Sequence, residues 1–172
     1  MKHKGLVQIY TGNGKGKTTA TLGLAMRAVG AGLKVYIMQF IKGREYSEIK
    51  AIKKIKKITV EQCGRGCFIK KRPLKKDRLL AQNGLKKVQK NIFSKKYDLV
   101  ILDEVNVALE LDLLKVNELV SIIKNKPRNI ELVLTGRYCP KTMFKYVDLI
   151  TEMKEVKHPY KRGIKARLGI EY

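Results

Sequence analysis

The sequence predicts an α/β fold with a mostly parallel sheet of about five to six strands and helices on both faces. Short apolar segments rich in β-branched residues alternate with segments of helical periodicity, which is typical of βαβ units. The chain has 172 residues, of which 44% are hydrophobic, enough for one domain with a full core. We therefore expect residues 1–172 to form a single domain. The predicted strands are 6–10, 35–40, 58–60, 99–102, 130–134 and 148–150.

The predicted helices follow from apolar spacing. Residues 18–31 are rich in Ala, Leu and Thr, and 46–57 place Ile49, Ile52 and Ile55 at helical spacing with lysines between them. Further helices are predicted at 77–93, 113–124 and 140–146. The longest irregular stretch is 62–76, whose glycines and proline favour a lid or a binding loop.

A glycine-rich run connects the first strand to the first helix and reads TGNGKGKTT over residues 11–19. Glycines allow backbone N–H groups to surround a polyphosphate, Lys17 supplies a mobile charge, and the Thr18 hydroxyl is a ligand for Mg²⁺. The first glycine of the usual pattern falls at Thr11, so we expect Gly12 to form the tight turn. An ordinary glycine turn needs neither Lys17 nor Thr18. The run therefore predicts a P-loop that binds a nucleotide.

Two carboxylates, Asp103 and Glu104, follow the apolar strand at 99–102. In P-loop proteins a carboxylate at this place holds Mg²⁺ directly or through water, although the pair could also cap a helix. Because ligands collect at the carboxyl ends of parallel strands, other residues that follow strands are of interest. These are Gln39, Lys42, Thr135 and Arg137. Arg137 could bind phosphate or cap a turn, and Arg27 could face the ligand or solvent.

The net charge of +23 suggests a polyanionic partner. The charge comes from 29 lysines and only 9 arginines, and arginine is the residue favoured for phosphate and base recognition. We therefore interpret most lysines as solvated helix faces, with polyanion binding as the alternative. Three cysteines, at 63, 67 and 139, are expected to be thiols. No apolar run approaches a membrane span and no signal peptide is evident, so a cytoplasmic protein without membrane association is expected.

Seven stretches occur in order over nearly the whole chain, and they are TGNGKGKTT (11–19), MQFIKG (38–43), DLVILDEVN (98–106), LTGR (134–137), DLITEM (148–153), KHPY (157–160) and GIKARLGIEY (163–172). Taken together, these stretches resemble the P-loop type of ATP:cob(I)alamin, or corrinoid, adenosyltransferase. The P-loop alone would fit many families, whereas the combination is quite specific.

The resemblance implies a RecA-like fold, a homodimer, and transfer of the 5′-deoxyadenosyl group of ATP to Co(I) of a corrinoid with release of triphosphate. It implies a flavoprotein reductase that supplies Co(I). It also implies that Thr18 and Glu104 bind Mg²⁺, or Mn²⁺, and that Asp103 contacts these ligands rather than the metal. Lys17, Thr18 and Glu104 would be catalytic. The ATP contacts that it implies are Gly12, Asn13, Gly14, Lys15, Gly16, Lys17, Thr18, Thr19 and Arg27, with Arg137 as a further candidate.

Two departures from the family concern the corrinoid. The family's loop often reads Gly-Phe-Thr-Trp, whereas this chain has Gly66-Cys67-Phe68-Ile69 and no tryptophan. Phe68 is therefore the residue expected to pack against the corrin ring. The first strand begins almost at once, so we expect the N-terminal arm that many members carry to be missing or supplied otherwise.

A rival interpretation is a RecA-like nucleic-acid-dependent ATPase, which explains the P-loop and the basic surface but not the C-terminal motifs. A third is a nucleotide-binding regulatory module without turnover. On the adenosyltransferase interpretation, nucleic acid is not expected as a partner.

Overall fold

The computed structural model describes residues 4–66, 69 and 72–172, and within them six strands form one sheet in which every neighbouring pair is parallel. The strand order across the sheet is β3-β2-β4-β5-β1-β6. The strands are β1 (Val7–Thr11), β2 (Val35–Lys42), β3 (Ile58–Gly66), β4 (Leu99–Asp103), β5 (Glu131–Thr135) and β6 (Leu149–Glu152). The predicted α/β class is thus confirmed, with all six strands at their predicted places.

Helices cover both faces of this sheet. On one face, α1 and α2 pack against the aliphatic side chains of the central strands, and on the other face α3, α4 and α5 enclose the larger part of the core. All eight residues of β2 are buried, as expected for a central strand covered on both sides. The helices are α1 (Lys17–Gly30), α2 (Ser47–Ile52), α3 (Lys75–Phe93), α4 (Val105–Glu110) and α5 (Val116–Asn125), with 3₁₀ turns at Lys141–Tyr146 and Pro159–Arg162.

Three elements differ from their predictions. The stretch predicted as irregular from residue 62 is still strand, because β3 pairs with β2 from Val35–Ile58 as far as Lys42–Gly66. The helix predicted over 46–57 ends at Ile52, and the segment 140–146 is a 3₁₀ turn rather than an α-helix. Helix α4 was not predicted, because six residues are too few to show a period.

The predicted lysine-rich face does lie in solvent. Ile49 and Ile52 are buried, whereas the lysines between 50 and 57 are exposed. Cys63 and Cys139 are free thiols, and burial raises the pKa of Cys63 to about 12. No helix in the described part of the chain is long and apolar enough to cross a membrane.

The sheet order determines where the functional groups meet. Strand β5 lies between β1, which leads into the P-loop, and β4, which ends in Asp103. Thr135 at the end of β5 pairs with Tyr10 of β1 in the sheet, and its hydroxyl forms hydrogen bonds with Asp103 and Glu104 at the end of β4. The carboxyl ends of β1, β2, β4 and β5 together form the edge of the sheet at which ligands of such folds bind.

Candidate active site

The P-loop turns at Gly12 and again at Gly16, whose φ angles of 94° and 118° are in the left-handed region. The turn is therefore at Gly12, as predicted, and Thr11 completes β1. The loop also lies directly on the chain that follows β6. A Cβ atom at Gly12 would be 2.5 Å from the carbonyl oxygen of Met153, and one at Gly14 would be 2.7 Å from it. No larger residue fits these two positions without moving Met153.

Helix α1 begins directly after Gly16, which has no side chain with which to cap the first turn. The free N–H groups of that turn, together with the helix dipole, favour an anion at this point. Lys17 is buried, and its Nζ donates hydrogen bonds to the carbonyl oxygens of Gly12 and Gly14, both at 2.7 Å. Burial lowers the pKa of this ammonium group. The loop thus holds a desolvated positive charge next to its amides.

Asp103 is the centre of the polar contacts at this edge, and its side chain is 1% exposed. Its Oδ1 accepts hydrogen bonds from the hydroxyls of Thr18 at 2.9 Å and Thr135 at 2.8 Å. Its Oδ2 accepts from Gln39 Nε2 at 2.9 Å and from Lys42 Nζ at 3.0 Å. Burial by itself would raise the pKa of Asp103, but the charge of Lys42 and these hydrogen bonds lower it. Asp103 is therefore a carboxylate whose four contacts hold the ends of the strands together.

Glu104 is more accessible than Asp103. Its backbone is left-handed, with a φ of 59°, which is uncommon for a residue other than glycine and typical of functional sites. Its N–H donates to the Thr135 hydroxyl at 3.0 Å, while its carboxylate lies 4.0 Å from Lys42 Nζ. Burial, followed by the charge of Asp103, raises the pKa of Glu104. This carboxylate is thus the one that remains available to a ligand.

Residues 3–172 match the protein family described as ATP:corrinoid adenosyltransferase BtuR/CobO/CobP. The chain belongs to this family. It is 35% identical to the corrinoid adenosyltransferase of Sinorhizobium sp over 98% of this chain and 81% of that protein. It is 31% identical to the corrinoid adenosyltransferase of Escherichia coli over 98% and 86%, and 30% identical to corrinoid adenosyltransferase CobA of Salmonella typhimurium over 99% and 87%.

The resemblance inferred from the motifs is thereby confirmed, and the activity of the chain is that of an ATP:corrinoid adenosyltransferase, transfer of adenosyl from ATP to a corrinoid. ATP is the substrate that the family implies. The rival interpretation as a nucleic-acid-dependent ATPase has no support from these matches.

The oxygen atoms of the adenosyltransferase site suit a hard divalent cation, but they are few. Among the described residues, no group of three or more His, Cys, Asp and Glu side chains could hold a metal ion. The Thr18 hydroxyl donates its proton to Asp103 and accepts a long contact of 3.5 Å from Lys42 Nζ, and Glu104 offers a carboxylate. Mg²⁺ requires about six oxygen ligands and usually takes some of them from phosphates and water. These residues therefore fit a metal ion that is bound together with a nucleotide.

The other residues predicted for this adenosyltransferase site are placed less uniformly. Asn13, Lys15 and Thr19 are exposed, and Lys15 forms an ion pair of 2.9 Å with Glu171. Arg137 lies two residues beyond the end of β5, and its positive charge acts to lower the pKa of both Lys17 and Glu104.

Arg27 lies ten residues beyond Lys17 on α1, about 15 Å along the axis, and is exposed. The structure does not bring it to the phosphate end, and its contact with ATP stays a prediction. Phe68 lies outside the described residues.

The sequence pattern did not assign roles to four residues that the structure places at the centre of the site. Gln39, Lys42 and Thr135 bind Asp103, and their only signal was that they follow predicted strands. Asn106 donates to the carbonyl oxygen of Gly136 at 3.1 Å, and its own side-chain oxygen is buried without a hydrogen bond in the described structure. An unpaired buried oxygen is costly, which makes Asn106 a candidate contact for substrate.

Proposed function

We propose that the P-loop amides from Gly12 to Thr18 bind all three phosphates of ATP and that the site releases them together. Co(I) of the corrinoid attacks C5′ of the ribose with its electron pair. A cobalt–carbon bond forms, the bond from C5′ to the phosphate oxygen breaks, and the triphosphate leaves with the bonding pair. The observation that carries this proposal is the convergence of Lys17, Thr18 and Glu104 at one edge of the sheet.

This reaction needs no general base, because the nucleophile is a metal centre and not water. The protein has to align C5′ with cobalt and to stabilise negative charge on the leaving triphosphate. Lys17 suits the second task, since its two bonds to loop carbonyls fix a partly desolvated charge beside the amides. Arg137 is proposed as a further phosphate contact, because its positive charge acts to lower the pKa of both Lys17 and Glu104.

Mg²⁺ is the proposed metal, with Mn²⁺ as a substitute, held by Thr18 and Glu104 while Asp103 orients Thr18. Bound there, the metal would supply further positive charge to the triphosphate. The fit rests on the Thr18 hydroxyl oxygen, whose proton goes to Asp103, and on the more accessible Glu104 carboxylate.

On the corrinoid side, Phe68 and the partly buried Ile69 are proposed to pack against the ring and to exclude water from a strongly reducing centre. A flavoprotein reductase is the proposed source of Co(I). We also propose a cytoplasmic homodimer of this single domain. All four residues of the edge strand β6, including Leu149 and Ile150, are exposed in the single chain. A second copy that packed against this strand would bury its apolar side chains.

The products formed from ATP test this function. We expect triphosphate and adenosylated corrinoid in equal amounts when the protein, ATP, Mg²⁺ and chemically reduced corrinoid are mixed. Without the reduced corrinoid, no triphosphate should form. Release of ADP and phosphate that DNA or RNA stimulates would contradict the proposal.

A further inference from the structure

A lysine side chain lies among the oxygens that we assign to the metal. The Nζ atom of Lys42 is 3.0 Å from Asp103 Oδ2, 3.5 Å from Thr18 Oγ1 and 4.0 Å from Glu104 Oε1. Its side chain is only 8% exposed, so water screens these contacts poorly. Without a nucleotide, the carboxylates therefore already have a cation.

The backbone is bent at the place that brings this cation in. Gln39 and Lys42 are three residues apart on β2, and regular alternation would direct them to opposite faces of the sheet. Both nevertheless bind the same oxygen, Asp103 Oδ2. The register of β2 against β3 shifts between Phe40 and Lys42, and the intervening Ile41 is buried with a φ of 68°. A bulge of this kind redirects a side chain and costs conformational energy, especially at a β-branched residue.

The two buried lysines of the site have different partners. Lys17 is bonded to the carbonyls of Gly12 and Gly14 and lies with the loop amides that await phosphate. Lys42 is bonded to the carboxylate of β4 and lies on the metal side. A lysine that served only to bind phosphate would not need the bulge that takes it to Asp103.

We propose that Lys42 is a built-in counter-cation that prevents a divalent metal from binding at Thr18 and Glu104, next to Asp103, until a nucleotide is present. The proposal rests on the metal site proposed above. Two carboxylates facing Lys42 and Lys17 are nearly neutral as a set, so a divalent ion gains little by entering alone. A bound triphosphate adds several negative charges, and the balance then favours the metal. Metal and ATP would therefore bind together. A site without ATP would not retain a metal ion, because the charges of the two lysines repel it.

The test uses Mn²⁺ alone as the probe, with free Mn²⁺ counted by electron paramagnetic resonance. Lys42→Met removes the charge and keeps most of the length. We expect the wild type to bind Mn²⁺ weakly without ATP and tightly with it. The Lys42→Met protein should bind Mn²⁺ without ATP at least about tenfold more tightly than the wild type, because a unit charge some 4 Å away has gone.

The matched controls distinguish the effect of the lost charge from an effect on folding. Lys57→Met removes a lysine outside the site, which donates to the backbone carbonyl of Gly32, and it should behave as wild type. Lys42→Arg keeps the charge and should keep Mn²⁺ binding weak without ATP. If Lys42→Met does not fold, as judged by circular dichroism, Lys42→Gln takes its place, since its amide can still donate to Asp103.

A further variant separates this proposal from the one on which it rests. Adding Glu104→Gln to Lys42→Met should abolish the new Mn²⁺ site. Equal Mn²⁺ affinity of the folded Lys42 variant and the wild type without ATP would overturn the role of Lys42. If Glu104→Gln alone left Mn²⁺ binding in the presence of ATP unchanged, the assignment of the metal site itself would be wrong.

Discussion

The phosphate end of the site and the connection between β3 and α3, residues 67–74, are built in different ways. At the phosphate end, residues from β2, β4, β5 and α1 meet on the single carboxylate of Asp103. Among the described residues that flank the connection, Asp77 at the start of α3 accepts from Arg65 Nη2 at 2.8 Å and from the N–H of Leu74 at 2.8 Å.

This difference indicates which substrate each of the two regions can accommodate. A polyphosphate has the same shape for every ATP-binding protein, so a site fixed by the sheet serves it. A corrinoid is large and varied in its substituents, and a connection that begins after the last paired residue of β3 can differ in sequence without changing the pairing of the sheet. Of the two departures from the family pattern, the one at Gly66–Ile69 falls at the start of this connection, and neither falls in the P-loop. Changes at the phosphate end should therefore have larger effects than changes at the connection.

The largest effect is expected from Lys17→Met. Loss of the charge beside the loop amides should lower kcat/KM for ATP by more than about a hundredfold, as removal of one preorganised electrostatic contact does in other enzymes. Steady-state kinetics with chemically reduced corrinoid measure this. Lys57→Met is the control, and an unchanged kcat/KM in Lys17→Met would contradict the role of Lys17.

Asp103→Asn should come next. It leaves Lys42 buried without its carboxylate partner, a change that typically costs about 3 to 5 kcal/mol of unfolding free energy. Urea titration measures the loss, and KM for ATP should rise as well. The control is Asp98→Asn on the preceding turn before β4, where the carboxylate accepts from the exposed N–H of Lys34. Equal unfolding free energies for the two variants would exclude a central role for Asp103.

Phe68→Ala tests the connection. An aromatic contact is worth about 1 kcal/mol, so we expect the rate of adenosylation to fall by about fivefold when a reductase must generate Co(I) from Co(II) corrinoid. The rate with chemically supplied Co(I), and the affinity for ATP, should change little. Unchanged adenosylation of Co(II) corrinoid with normal ATP binding would remove this role from Phe68.

The smallest effect is expected from Asp77→Asn, which weakens the pair with Arg65. KM for the corrinoid should rise modestly and KM for ATP should not. The hydrogen bond to Arg65 lowers the pKa of Asp77. The pair therefore stabilises the fold fully at pH values above the usual pKa of an aspartate, and this stabilisation is lost as the pH falls through the lowered pKa. Unfolding at several pH values should show a difference from wild type at neutral pH that vanishes in acid.

The control for this variant is Asp112→Asn, whose exposed carboxylate binds Lys115 and Arg78 at the surface. A rise in the KM for ATP in Asp77→Asn, equal to that for the corrinoid, would mean that the two regions are not independent.

The phosphate end could be predicted because its signals are local in sequence. Glycines, Lys17 and Thr18 follow one strand, and Asp103 and Glu104 follow another, so each motif is visible without the fold. Lys42 could not be assigned, because its position depends on a bulge at Ile41, and strand periodicity predicts the opposite face. The full length of β3 was not predicted for a related reason. Its polar C-terminal residues form a strand because they pair with β2, and this pairing is not visible in the sequence pattern.

The support that Met153 gives to the P-loop has a consequence for protein synthesis. The loop at residues 11–17 leaves the ribosome early, yet its glycines lie on a carbonyl that is more than a hundred residues further along the chain. A nascent chain that ends before β6 has the complete phosphate-binding motif but lacks the surface that shapes it. We therefore expect nucleotide binding to be acquired late in translation, so that ATP would not guide the folding of the first half of the chain.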